Sequence, residues 1–136
     1  MTQDCYGLHK TSKFLFWAII SVASREEHDA EKRLCDLAPF FESYIGRLVI
    51  GGRGNNVQLY DVQALVVLSL WPWLNVYWWT DRSWTLANLA MSMGILIGLH
   101  HMHSETEYSH VVPLTSSEIR AERLRTWCAC VAVVQK

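Results

Sequence analysis

Residues 57–103 read VQLYDVQALVVLSLWPWLNVYWWTDRSWTLANLAMSMGILIGLHHMH, and this stretch decides the fold. Its first part, 59–70, is apolar on nearly every side and is interrupted only by Asp61, Gln63 and Ser69. A helix of that kind belongs inside a protein rather than on its surface. Trp71-Pro72 ends it, because proline has no N–H and drives its predecessor out of the α region. A second helix begins near Asp81 or Ser83, whose side-chain oxygens suit an N-cap. Leu86, Leu89, Ala90, Met93, Leu96 and Ile97 then recur at the spacing of one helical face, with Thr85, Asn88 and Ser92 opposite. Gly94 and Gly98 sit four apart on this helix. Glycine inside a helix costs about 1 kcal/mol against alanine. The pair therefore predicts close approach of another helix backbone, or else Gly98 opens the helix end.

Working outward, residues 14–25 (FLFWAIISVASR) predict a helix capped at Thr11 or Ser12. Phe14, Trp17, Ala18 and Ser21 lie along one side of it, and Leu15, Ile19, Val22 and Ala23 along another. Residues 1–10 are polar and aperiodic. Leu34, Leu37, Ala38, Phe41, Tyr44, Ile45 and Leu48 hold helical spacing, but Pro39 falls among them and predicts a break or kink. Gly51-Gly52-Arg53-Gly54-Asn55-Asn56 is a loop, and Asn56 is placed to cap the next helix. Thr115-Ser116-Ser117-Glu118 is a capping box opening a last helix, with Leu124, Trp127, Cys128 and Val131 as its buried face. The fold class is all-α. About five packed helices span 12–25, 28–50, 57–71, 82–100 and 116–135, with Leu65, Leu68, Leu89, Met93 and Trp127 in the core.

Composition excludes several functions. The 136 residues carry a net charge of -1. A free-standing nucleic-acid binder needs a basic stripe, and Arg120, Arg123 and Arg125 are interleaved with Glu118 and Glu122. Cysteines 5, 35, 128 and 130 form no C-x-x-C pair, so a six-thiolate zinc cluster is out of reach. His100, His101, His103 and His110 lack a partner thiolate or carboxylate at metal-binding spacing, and the end of a helix favours histidine electrostatically. The GGRG loop lacks the lysine-serine pair and flanking strand of a phosphate site. The apolar run 64–79 contains Ser69, Pro72 and Asn75, which leaves it short of the roughly 18 clean residues of a membrane span. No nucleophile, base and acid stand in a catalytic arrangement. The chain reads as a non-enzyme with no catalytic, cofactor or metal site. Five of its seven tryptophans lie between 71 and 84. Trp71, Trp73, Tyr77, Trp78, Trp79 and Trp84 either line an effector pocket or interface, or cover the ends of the two core helices.

The runs VQALVVLSLWP (62–72), DRSW (81–84) and LANLAMSMGILIGLHH (86–101), followed by AERLRTW (121–127), resemble in order the fungal-specific transcription factor domain. That domain is the middle regulatory region of fungal zinc-cluster transcription factors. Its usual pattern is a VQALLLL-type helix, a D-P-S-W start to the next helix, a G-L-H-R end and an E-R-x-R-x-W run. The helix at 14–25 resembles the one that opens the domain. His101 departs from the pattern, standing where the family usually has arginine. The nearest branch includes regulators of weak-acid response, the leucine pathway and secreted proteases.

The resemblance implies one partial domain over 1–136, best matched over 57–136, as a fragment of a larger helical regulatory region. It implies a nuclear role in RNA polymerase II transcription. Zinc and DNA contact would belong only to a zinc-cluster module that these residues lack, so the chain itself carries no cofactor. The implied partners are the rest of the transcription factor, other regulatory proteins and a small-molecule effector, with no membrane. Further helices would cover Val131, Val133 and Val134, which otherwise leave an apolar strip running to parts of 71–79. The alternative is a stand-alone helical interaction or small-molecule-binding module with the 71–84 aromatics as its floor.

Overall fold

The structure, a computed structural model, describes residues 5–51, 56–71, 82–101 and 117–136. The described residues are all-α, with no strand among them. In chain order they form α1 (Cys5–Thr11), α2 (Lys13–Ala23), a 3-10 turn (Ser24–Glu26), α3 (Ala30–Ile50), α4 (Leu59–Leu70), α5 (Ser83–Leu96) and α6 (Ser117–Val134).

α4 is the central helix, as its apolar circumference demands. It packs against α2, α5 and α6, and none of its twelve residues is exposed. Val62, Ala64, Leu65 and Leu68 are fully buried and meet Phe14 and Ala18 of α2, Phe41 of α3, Ala90 of α5 and Cys130 of α6 in one core. Phe14 stacks on Tyr44 at 4.4 Å between ring centroids and meets Phe41 edge-on at 6.2 Å, fixing α3 against α2. Of the two apolar stripes on α2, Phe14, Trp17, Ala18 and Ser21 turn inward, whereas Ile19 and Ala23 remain exposed.

Ser12 caps α2 as expected, its hydroxyl oxygen accepting from the Leu15 N–H at 3.3 Å. The other caps differ from expectation. α4 is capped by Gln58 rather than Asn56: the Gln58 side chain accepts from the Asp61 N–H, and the Asp61 carboxylate accepts from the Gln58 N–H at 2.9 Å. This is a reciprocal capping box built with glutamine. The N-cap of α5 is Arg82, whose side chain makes no capping bond to the helix, and Ser83 is already helical. Asp81 and Thr115 lie outside the described residues.

Four further expectations are corrected. The N-terminal stretch contains α1, which has no buried residue and packs on α2 through the His9 ring against Phe16 and Trp17. Seven residues without an apolar stripe give no periodic signal; tertiary contact supplies what propensity does not. Of the break or kink expected at Pro39, the break does not occur, since α3 is continuous through it. Pro39 and Cys35, whose carbonyl loses its usual partner, both lie on the solvent face, where water replaces the bond. On α6 the buried stripe is Thr126 and Cys130, with Trp127, Ala129 and Val133 packed beside it, while Leu124 and Cys128 face solvent. The rotation follows from polar pairing: Gln63 of α4 donates to Glu122 and to the Thr126 hydroxyl, each at 3.1 Å, turning that polar edge inward. Gly94 faces no helix backbone. The neighbours nearest a Cβ there are side chains, Leu99 at 3.5 Å and the Trp127 ring at 3.6 Å, both at ordinary contact distance.

Gly98 does close α5. It has a φ of 73°, the Leu99 N–H donates to the Gly94 carbonyl at 2.9 Å and the Gly98 N–H to the Ile95 carbonyl at 3.0 Å. These two bonds make a Schellman motif, and buried Leu99 folds back over Gly94.

Leu65 and Leu68 are buried as expected, Met93 nearly so, but Leu89 and Trp127 are only partly buried. Leu65→Ala is expected to cost about 2–5 kcal/mol, and Leu89→Ala only about 1 kcal/mol, the centre of the range for ordinary substitutions. Urea unfolding of both variants checks the order; an equal loss would contradict the burial difference.

Candidate functional site

One concavity among the described residues lies between α3 and α5. Glu42, Ile45, Gly46, Val49 and Ile50 recur at three- and four-residue steps and so form one ridge of α3. Arg82, Thr85, Leu86, Leu89 and Ser92 form the matching ridge of α5, with Asn88 beside them. The groove between the ridges has a volume of about 620 Å³. Leu86 forms part of its buried floor, whereas Val49 is 56% and Ile50 84% exposed on its wall. Gly46 leaves a gap in the α3 ridge: a Cβ there would meet nothing within 4 Å.

The chemistry of the groove is mostly aliphatic. Its two charges neutralise each other, because Arg82 Nη1 lies 2.8 Å from Glu42 Oε1 and the pair bridges the two ridges. On α5 the polar groups are turned back into the helix: Asn88 Nδ2 donates to the Trp84 carbonyl at 2.8 Å, and the Ser92 hydroxyl donates to the Asn88 carbonyl at 2.9 Å.

The α3 wall is anchored from behind. Tyr44 donates its hydroxyl to Asp61 Oδ1 at 3.0 Å, and Asp61 is only 4% exposed. Burial pushes the Tyr44 phenol from its usual 10 up to about 12; the Asp61 charge and hydrogen bond reinforce this, and Arg47, 5.3 Å above the ring, opposes it. α6 is tied in by Gln63 and by Arg123, which donates to the Ile97 carbonyl at 3.1 Å.

Of the aromatic residues singled out in the sequence, Trp71 caps the C-terminus of α4 and is 43% exposed, and Trp84 in the first turn of α5 is 73% exposed. Neither is in the groove's aliphatic walls. Trp73, Tyr77, Trp78 and Trp79 lie outside the described residues. The groove itself left a faint trace in the sequence, as small and aliphatic residues at helical spacing over 42–50 that extend past the core-facing set.

Cys5, Cys35 and Cys128 are exposed and unbridged; Cys130 is buried, which pushes its thiol up to about 11. The His100 and His101 rings stand 4.0 Å apart, and no group of three or more potential metal ligands occurs among the described residues. His103 and His110 lie outside them. No described helix is long and apolar enough to cross a membrane.

The described residues thus form an all-α helical bundle with an aliphatic groove between α3 and α5. Comparison with known proteins finds similarity to two fungal regulators. One is the regulatory protein LEU3 of Saccharomyces cerevisiae, 26% identical over 147 residues that take in 99% of this chain and 16% of the relative. The other is the transcriptional regulatory protein SEF1 of Candida albicans, 31% identical over 136 residues that take in 95% of this chain and 14% of the relative. The chain therefore spans only a small part of the length of either relative. No family model matches the chain, and no solved structure matches it.

Two substitutions probe the α3 wall. Gly46→Ala is expected to raise stability by about 1 kcal/mol, since the methyl enters open space and the helix gains propensity; a loss in thermal unfolding would mean that the gap is filled. The raised Tyr44 value makes its neutral form part of the folded state's stability. That contribution is complete below pH 10 and is lost as pH rises towards 12. Tyr44→Phe should cost about 1 kcal/mol, a hydrogen bond to a carboxylate discounted for solvent. It should also flatten the fall in stability above pH 10, which unfolding curves across that window will show.

Proposed function

We propose that this chain is a regulatory, non-catalytic segment of a fungal zinc-cluster transcription factor, acting in RNA polymerase II transcription in the nucleus. The observation that carries this reading is its similarity, over nearly its whole length, to two fungal regulators, one of them transcriptional by name. The ordered runs at 62–72, 81–84, 86–101 and 121–127 support it independently. The segment acts through packing and binding, in company with the rest of the factor and with other regulatory proteins. Zinc and DNA contact belong to a zinc-cluster module outside these residues, and the segment needs no cofactor of its own.

The groove favours a second reading, a helical module that binds a small molecule irrespective of transcription. The test is a fusion of the chain to an unrelated DNA-binding domain, read on a promoter carrying that domain's site in a fungal host. The expected result is a change in reporter output that Leu65→Ala, which opens the core, abolishes. An output equal to that of the DNA-binding domain alone would overturn the regulatory reading and leave the second. In a gel shift at low salt the chain alone should bind no DNA, since clustered Lys and Arg supply such affinity and its net charge is -1.

A further inference from the structure

We propose that α3 is a releasable strap: it comes away from α2, α4, α5 and α6 while those four helices stay folded together, which uncovers Phe14 and Asp61 and dissolves the groove. The inference stands apart from the regulatory reading and rests on how α3 is held.

α3 is the longest described helix, yet of its 21 residues only Ala38 and Phe41 are buried, whereas α4 buries seven of twelve. Tyr44, Ile45 and Leu48 pack on the core but keep some access to solvent. α6 also buries only two residues, but it lies along both α4 and α5. The close backbone neighbours of α3 are α2 and the 3-10 turn, and it is joined to α4 and α5 by side chains. Low burial and few partners place an element at the weak end of a protein's internal scale of opening.

Most of these holds part at small cost. Glu42 and Arg82 each have side chains more than half exposed, so water replaces their ion pair almost evenly. When Tyr44 leaves Asp61, the carboxylate keeps the Gln58 N–H at 2.9 Å and gains water, so no buried charge is orphaned. Val49 and Ile50 are already exposed, and the last turn of α3 gives up little apolar contact. The chief cost is aromatic, because Phe41 and Tyr44 must leave the Phe14 ring. Residues 27–29, which precede α3 and are not helical, supply a pivot. The remaining helices keep one another, since α4 still packs against α2, α5 and α6.

Hydrogen exchange of the folded chain in dilute urea, read by NMR on single amides, tests the strap. The amides of Phe41, Tyr44 and Ile45 should exchange at least about tenfold faster than those of Leu65 and Leu68, because partial opening is easier than global unfolding. Their urea dependence should be smaller than that of α4 but not zero, since release exposes some surface and global unfolding exposes more. Two substitutions separate the openings. Cys130 donates to the Ala90 carbonyl where α6 meets α5, a contact in which α3 is not a neighbour. Cys130→Ala should therefore speed exchange in α4 and leave α3 unchanged. Tyr44→Phe should speed both, because its hydrogen bond is lost in release and in global unfolding alike.

The proposal is overturned if the α3 amides match those of α4 in rate and urea dependence, or if they show no urea dependence at all. It is also overturned if Cys130→Ala speeds them as it speeds α4, or if Tyr44→Phe leaves them unchanged. The urea series on the unaltered chain decides the matter even where Cys130→Ala fails to fold. Because no reporter enters this experiment, its failure leaves the regulatory reading untouched.

Discussion

Everything in this fold depends on the burial of α4. A helix with no exposed residue leaves its polar groups little access to bulk water, and an unpaired buried polar group costs free energy comparable to a lost hydrogen bond. Two of the polar residues on α4, Asp61 and Gln63, therefore determine something about a neighbour. Asp61 accepts from the Gln58 N–H and from Tyr44, which starts the helix and pins α3. Gln63 reaches across to Glu122 and Thr126, which sets the rotation of α6. Ser69 returns its hydroxyl to the Val66 carbonyl at 2.7 Å and asks nothing of another helix. The apolar contacts hold the bundle together, while these polar ones select a single arrangement of it.

That division explains what could be read from the chain. The central helix was legible because twelve residues with so few polar interruptions have only one place to go. The cap of α2 was legible because serine before an apolar run is a local signal. The partners of Asp61 and Gln63 were not, since they sit 17 and about 60 positions away and no local pattern announces them. The same non-local pairing misled the reading of α6: its apolar residues are spread around the helix, so periodicity alone picked Leu124 and Cys128, and the polar edge turned inward instead. Pro39 misled in the opposite way, because its cost depends on which face it occupies, and a solvent-facing proline is tolerated.

The groove belongs to the same class of non-local features. Its two ridges come from helices separated by α4 in the chain, and α5 lies against α4 while the α3 wall is braced by Tyr44 and by the Glu42–Arg82 pair. The aromatic wealth of 71–84 drew attention in the sequence, whereas the recess among the described residues is walled by isoleucine, valine and leucine.

Pro39 has a consequence for how α3 holds together. The bond it omits divides the helix into two lengths whose amide ladder is interrupted between them. The length before it is largely solvated, with Leu34, Leu37 and Ala38 as its inward residues and the Arg33–Glu27 ion pair at its start. The length after it carries Phe41, Tyr44 and the groove wall. Opening of the first length can thus proceed as a local event, of low free energy, that leaves the second in place. The length after Pro39, with buried Phe41 and the Tyr44–Asp61 hydrogen bond, is the better anchored of the two, and the groove wall belongs to it.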